Sequence, residues 1–137
     1  MREILFKAKR INNGEWVEGC LVIDHSRPDL FEYRIQPVES GVLYAPPINP
    51  ETLCQFTGLC DKNGNKIWEN DIVTCQTKYG GDIGKIVFHN GKFCVLWNST
   101  YHYSRNGKCE NYYDINTKNS VKGNVFDNPE LLQGSVK

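Results

Sequence analysis

The hydrophobic pattern near the N-terminus makes two apolar-rich stretches, 4–10 and 15–23, strand candidates on either side of the Asn13-Gly14 turn pair. A two-residue repeat predicts β-strands, because successive side chains of a strand point to opposite faces of the sheet. In the second stretch both faces of the strand are predicted to be largely buried, since both alternating sets are apolar: Trp16, Cys20 and Val22 on one face, Val17, Leu21 and Ile23 on the other.

The clearest alternation flanks Asn90-Gly91. Asn-Gly is the preferred pair for a two-residue hairpin turn, because both residues adopt positive φ readily. Such a turn pairs His89 with Lys92 and Phe88 with Phe93, and the residues farther along the two strands pair in the same register. One face is then a core face, formed by Ile86, Phe88, Phe93, Val95 and Trp97. The other face carries Lys85, Val87, His89, Lys92, Cys94 and Leu96. We expect the aromatic residues of the core face to be buried, and Trp16 as well.

A further hairpin is predicted around Asn106-Gly107, over residues 101–113. Its strands are more polar than those of the Asn90-Gly91 hairpin, so we expect it to project from the rest of the fold. Its register places basic and aromatic side chains on one face: Tyr101, Tyr103, Arg105, Lys108 and Tyr112. Bases can stack on such aromatic rings while the nearby basic side chains bind phosphates, as in small β-barrels that bind single-stranded nucleic acid. Tyrosine-rich hairpins also form protein interfaces, since tyrosine offers a large contact area at low entropic cost.

The remaining segments are less regular. Prolines break residues 25–50, where only short strands at 33–36 and 42–44 are predicted; such strands leave edges that need cover, which favours self-assembly. The Asn-Pro-Glu triplets at 49–51 and 128–130 supply a helix N-cap and a proline at the first helical position. They predict at most one helical turn at 49 and a short helix through Leu132. The segment Gly80–Gly84 has no following Lys-Ser/Thr of a phosphate loop and is interpreted as a β-turn.

Composition agrees with one β domain. The 137 residues include two alanines and one methionine, both helix formers, against 12 glycines and 14 asparagines. The 16 basic and 16 acidic side chains cancel, which disfavours a strongly basic nucleic-acid binder, although residues 72–126 hold 7 basic and 3 acidic ones. No apolar run approaches the ~20 residues of a bilayer span, and the apolar start before Lys7 is too short for a signal peptide. The sequence predicts a cytoplasmic protein that does not cross a membrane.

The cysteines and histidines indicate no metal centre. The six cysteines lack the closely spaced pairs of a zinc site, and the three histidines are isolated. We expect free thiols, no disulfides, no bound metal and no cofactor. His89 and Cys94, diagonal neighbours on one hairpin face, are the best candidates for a base and a nucleophile. No oxyanion loop or third orienting residue accompanies them, so packing is the preferred interpretation and no catalytic residue is assigned.

A long signature occupies residues 50–73: Pro50-Glu51-Thr52-Leu53-Cys54-Gln55-Phe56-Thr57-Gly58-Leu59-Cys60-Asp61-Lys62-Asn63-Gly64-Asn65-Lys66-Ile67-Trp68-Glu69-Asn70-Asp71-Ile72-Val73. It closely resembles the signature of the YopX family, small proteins of temperate phages and prophages without an assigned biochemical role. Segments 2–8 and 123–132 resemble the opening and the close of that family. Asn70 stands where glycine is usual and Cys60 where lysine is frequent, but Asn is the best non-glycine residue for a left-handed turn. The resemblance implies a mostly β fold with an SH3-like barrel in the C-terminal part, and no catalytic residues.

The signature itself is interpreted as scaffold, because it alternates turn-forming segments with packing residues. We expect a single YopX-like domain over 1–137, with an N-terminal β hairpin region and irregular chain at 1–48, the barrel region at 49–137, and few short helices. The predicted function is that of a non-enzymatic phage or prophage accessory protein. It would assemble into a homo-oligomer or bind a host or phage protein, with binding of single-stranded nucleic acid as the alternative. The candidate face for either partner is the tyrosine-rich hairpin.

Overall fold

The computed structural model describes residues 2–29, 31–39, 41, 43–77, 80–97 and 112–133, the side chains of 75–77, 80–82 and 133 excepted. Within these residues the protein has ten strands, one single-turn 3-10 helix and one short α-helix, which confirms the predicted mainly β fold class. No helix in this part of the chain has the length and apolar character needed to span a membrane.

The strands are β1 Phe6–Lys9, β2 Trp16–Ile23, β3 Tyr33–Pro37, β4 Cys54–Cys60, β5 Lys66–Trp68, β6 Asp71–Thr77, β7 Gly80–His89, β8 Lys92–Trp97, β9 Tyr112–Tyr113 and β10 Ser120–Asn124. The 3-10 turn is Pro50–Thr52 and the helix α1 is Glu130–Gln133. Both begin within the predicted Asn-Pro-Glu triplets, the first at Pro50 and the second at Glu130. Asn49 caps the 3-10 turn by accepting the Glu51 N–H at 3.0 Å. The chain divides into two compact units, 1–56 and 57–137, with the boundary inside β4.

The first unit is built on antiparallel strands in the order β3-β2-β1-β4. Ala8, Ile35 and Ile48 form its buried core. Ala8 lies opposite Val17, so the core lies on the face that Val17 shares, and the neighbouring Trp16 points to the other face. There the ammonium groups of Lys7 and Lys9 lie 4.8 and 5.5 Å from the centre of its ring. Trp16 is therefore half-buried, and the prediction that it is buried is wrong.

Residues 46–49 cover the outer edge of β3 and reach the end of β1, although they form no regular strand. The hydrogen bonds run from Ile35 N to Pro46 O, Ile11 N to Pro47 O, Ile48 N to Tyr33 O and Asn49 N to Lys9 O. The prolines do not interrupt this pairing, because they supply only carbonyls and have no N–H left over. The edge of β3 is thus not open. The strand predicted at 42–44 is absent at 43 and 44, while position 42 lies outside the described residues.

The second unit contains an antiparallel sheet with the strand order β10-β6-β7-β8-β9. The β7–β8 hairpin has the predicted register, with His89 opposite Lys92 and Phe88 opposite Phe93. Asn90 and Gly91 have φ values of 51° and 80°, as the two-residue turn requires. The buried core is formed by Ile67, Val73, Ile86 and Val95. Among the described residues this sheet ends at β10 and β9 and does not close on itself, so the expected SH3-like barrel is not confirmed.

Two expectations for β7 are wrong. Phe88 lies on the core face but beyond the end of the core, so it is 58% exposed rather than buried. In β8, Phe93 and Trp97 are only half-buried, so the prediction that they are buried is wrong as well. The segment Gly80–Gly84 begins β7 and is not a turn. Its last glycine is needed for close packing, because a Cβ on Gly84 would lie 2.8 Å from the Leu96 carbonyl oxygen.

Candidate partner-binding surface

Strands β7, β8 and β9 present an exposed cluster of aromatic rings on the core face, just past the core itself. Phe88 and Phe93 are directly opposite each other, and their rings meet edge to face with centroids 5.0 Å apart. Tyr113 lies opposite Val95, one diagonal step from Phe93 on the same face. Phe88 and Tyr113 are 58% and 41% exposed. We call Phe88, Phe93 and Tyr113 the aromatic patch.

The opposite face of the same strands carries a second ring pair. His89 and Tyr112 stack with centroids 3.8 Å apart and planes 7° from parallel. His89 comes from β7 and Tyr112 from β9, so their rings meet across β8, which lies between them. On this face both are diagonal neighbours of Cys94. The stack therefore covers Cys94, which is only 1% exposed.

An ion pair lies beside this stack. The Lys92 ammonium and the Asp114 carboxylate are 2.8 Å apart, and both side chains are exposed. The hydrogen bond and the charge of each partner raise the pKa of Lys92 and lower the pKa of Asp114. The positive charge of Lys92 is thus matched within the protein, which makes Lys92 a weaker partner for an external phosphate.

The residues of the candidate dyad, His89 and Cys94, do share a face. Burial raises the pKa of the Cys94 thiol, an effect that nearby Lys92 opposes only partly. A thiol with a raised pKa has less of the thiolate that a nucleophile needs. The His89 ring is occupied in its stack with Tyr112. Among the described residues, no three His, Cys, Asp or Glu side chains are grouped to hold a metal ion.

Of the predicted partner face, Tyr101, Tyr103, Arg105 and Lys108 lie outside the described residues. Tyr112 lies in β9, opposite Leu96, and is 42% exposed. The predictions did not include Phe88 or Tyr113 among the exposed residues. Phe88 was assigned to the core by strand alternation, which identifies a face but not the point along the strand where the core stops.

The outer edge of β10 is closed by side chains. Val121 N–H donates to Asp61 Oδ2 at 3.0 Å, and Asn124 N–H donates to Asn128 Oδ1 at 3.2 Å. Asp61 also accepts the N–H groups of Asn63 and Asn65, each at 2.9 Å, so the signature turn and the edge strand share one carboxylate. An edge whose N–H groups already have acceptors is a poor template for another strand. The β3 and β10 edges are therefore poor sites for a partner strand.

Comparison with known proteins agrees with this architecture. The YopX protein family matches residues 5–133, nearly the whole chain, and the chain belongs to that family. Asn70 has a φ of 72°, the left-handed conformation to which asparagine is best suited after glycine.

The crystal structure of protein EF1440 from Enterococcus faecalis is similar, with a TM-score of 0.55 and 21% sequence identity, over 96% of this chain and 99% of that one. At this identity the likeness concerns the fold alone. No curated protein matches the chain.

Proposed function

We propose that this is a non-enzymatic accessory protein of a phage or prophage, which acts in the bacterial cytoplasm by binding a second copy of itself through the aromatic patch. The observation that carries the proposal is the exposed Phe88, 58% accessible while its ring packs edge to face on Phe93. Aromatic residues are enriched at protein interfaces, where they supply large apolar contact area. A chain with a formal net charge of +0 meets no net electrostatic repulsion from its own copy.

The test is the molar mass in solution by light scattering. The wild-type protein is expected to be a closed oligomer, and Phe88→Ser to shift it towards the monomer because the patch loses its most exposed ring. Leu43→Ser is the matched control, since Leu43 is a 96% exposed apolar residue of the first unit. A monomeric wild type at micromolar concentration, or equal effects of both substitutions, would exclude assembly through the patch.

The absence of catalysis is the second part of the proposal, supported by the burial of Cys94 beneath the His89–Tyr112 stack. A Cys94→Ala, His89→Ala double variant should keep the phage-related phenotype, apart from effects of lower stability. A stably folded double variant that loses the phenotype would restore the dyad as a candidate.

Binding of single-stranded nucleic acid is the alternative. It is favoured by the exposure of Tyr112, the one described member of the basic and aromatic face predicted from the sequence. Phosphate contacts release counterions, so such binding must weaken as salt rises. Salt-sensitive binding of an oligothymidine that is lost in Tyr103→Ala, Arg105→Ala would favour this alternative over self-assembly. The formal net charge of +0 is the reason for placing it second, since strong nucleic-acid binders carry an excess of basic side chains.

A further inference from the structure

The chain carries four Asn-Gly pairs, and the structure describes three of them: Asn13-Gly14, Asn63-Gly64 and Asn90-Gly91. Asn-Gly is the dipeptide most prone to spontaneous deamidation, because glycine leaves its backbone nitrogen unhindered. The three described asparagines are all exposed, so exposure does not distinguish them. The hydrogen bonds at the three Asn-Gly pairs do distinguish them.

We infer that Asn90 is the site at which the folded protein is modified by deamidation, in preference to Asn13 and Asn63. In the reaction the Gly91 nitrogen attacks the side-chain carbonyl carbon of Asn90. A carbon–nitrogen bond forms, and the side-chain nitrogen leaves as ammonia with the proton that the Gly91 nitrogen gives up. Water then opens the cyclic imide at either carbonyl, which yields aspartate or isoaspartate. Water is the sole co-reactant, and no oxidant or reductant takes part.

At the other two sites the attacking nitrogen is engaged. Gly14 N–H donates to the Arg10 carbonyl at 2.9 Å, and Gly64 N–H donates to the Asp61 carbonyl at 3.0 Å. At Asn13 the electrophile is held as well, because its Oδ1 accepts the Glu15 N–H at 2.9 Å. The two glycine N–H hydrogen bonds must break before the ring can close, which raises the barrier to reaction at those sites.

At Asn90 no such bond has to break. In the part of the chain that the structure describes, neither the Asn90 side chain nor the Gly91 N–H takes part in a hydrogen bond. The turn is anchored instead by the flanking pair, His89 opposite Lys92. Both the nucleophile and the electrophile of Asn90-Gly91 are therefore unprotected.

The product matters for this hairpin because isoaspartate inserts the Cβ atom into the main chain. A two-residue loop fixes its register through the length of the backbone between the strands. The longer loop is expected to disturb the His89–Lys92 pair and the Phe88–Phe93 pair next to it. Aspartate at position 90 leaves the backbone length unchanged. This chemical inference does not depend on the proposed function of the aromatic patch.

The experiment ages the full-length folded protein in mildly alkaline buffer and follows tryptic peptides by mass spectrometry. The three pairs fall in separate peptides, 11–34, 63–66 and 86–92, so each reports on one pair. Conversion of Asn90 should lead by roughly fivefold, the rate factor that corresponds to one hydrogen bond of ordinary strength. Equal or faster conversion at Asn13 or Asn63 would overturn the inference.

A parallel incubation in urea separates the fold from the dipeptide. The three rates should converge in the unfolded chain, and an undiminished lead of peptide 86–92 in urea would contradict the structural explanation. The isoaspartyl fraction is then compared with Asn90→Asp, which has the same charge and the native backbone length. The isoaspartyl form should unfold at lower urea concentration than Asn90→Asp, and equal midpoints would refute the proposed effect on the hairpin.

Discussion

Asp61 and Val121 are 60 positions apart in the chain, yet the Asp61 carboxylate accepts the Val121 N–H at 3.0 Å. Asp61 is 6% exposed, and its second oxygen accepts the N–H groups of Asn63 and Asn65. One side chain thus shapes the signature turn and holds it against the edge strand β10. The proposed binding surface on β7–β9 belongs to the same sheet, so we expect its geometry to depend on this residue outside it.

The substitution Asp61→Asn should destabilise the protein by about 1–3 kcal/mol, the range for leaving a buried hydrogen-bonding group unsatisfied. The introduced amide has one acceptor oxygen where the carboxylate has two, so either the turn or Val121 loses its acceptor. Urea unfolding measures the change in the free energy of unfolding. Asp114→Asn is the control, because Asp114 is exposed and its pair with Lys92 contributes little. Equal stability of the two variants would argue against the role given to Asp61.

Stability should also depend on the charge of Asp61. Burial disfavours its charged form, but hydrogen bonds from Val121, Asn65 and Asn63 outweigh burial and lower the pKa of Asp61. The unfolded state therefore binds a proton more readily than the folded state. The stabilising contribution of the Asp61 carboxylate is present above the unfolded pKa of about 3.9, and it is lost as the pH falls through the pKa of the folded state. Circular dichroism should show that the stability of Asp61→Asn falls less steeply with decreasing pH than that of the wild type. Parallel acid-unfolding curves would contradict this.

Gly84→Ala should cost about 1–3 kcal/mol, as expected for overpacking at a closely packed site. The added methyl group would lie 2.8 Å from both the Leu96 carbonyl oxygen and Val95 Cγ1, and these atoms must move. Gly58→Ala offers a comparison without crowding, because nothing lies within 4 Å of its Cβ position and only its φ of 89° opposes the substitution. Thermal unfolding should show a lower midpoint for Gly84→Ala than for Gly58→Ala, and an unchanged midpoint in Gly84→Ala would disprove the steric argument.

Cys94 should react slowly with a thiol reagent in the folded protein, while the exposed Cys20 and Cys60 react quickly. Tyr112→Ala should accelerate labelling of Cys94, because it removes one ring of the covering stack. Tyr113→Ala is the matched control, since Tyr113 is the adjacent tyrosine on the opposite face. Labelling is read for each cysteine by peptide mass spectrometry. If both substitutions had the same effect on Cys94, general loosening of β9 rather than uncovering would be responsible.

Much of the fold follows from local sequence. Asn90-Gly91 determined the β7–β8 register because a two-residue turn leaves one pairing available. The two Asn-Pro-Glu triplets likewise mark the 3-10 turn and the position of α1, because capping depends on neighbours in sequence.

What could not be predicted depends on contacts between distant residues. Alternation placed Phe88 on the correct face, but its exposure depends on where the core of Ile86 and Val95 ends. The glycines at 80–84 were interpreted as a turn, whereas Gly84 is required by the approach of Leu96 from the next strand. Of the partner face predicted from the sequence, Tyr112 alone lies among the described residues. Phe88 and Tyr113 of the aromatic patch were recognised only from their exposure in the folded chain.

The segment 46–49 has a consequence for the dynamics of the first unit. Its Ile48 and Asn49 amides are hydrogen-bonded to Tyr33 and Lys9, on different strands, although the segment itself is not a strand. Amide protons exchange with solvent only when such bonds open, and residues that open together form one cooperative unit. Hydrogen exchange at Ile48 and Asn49 should therefore be as slow as in β1 and β3, and this loop should unfold together with the strands it joins.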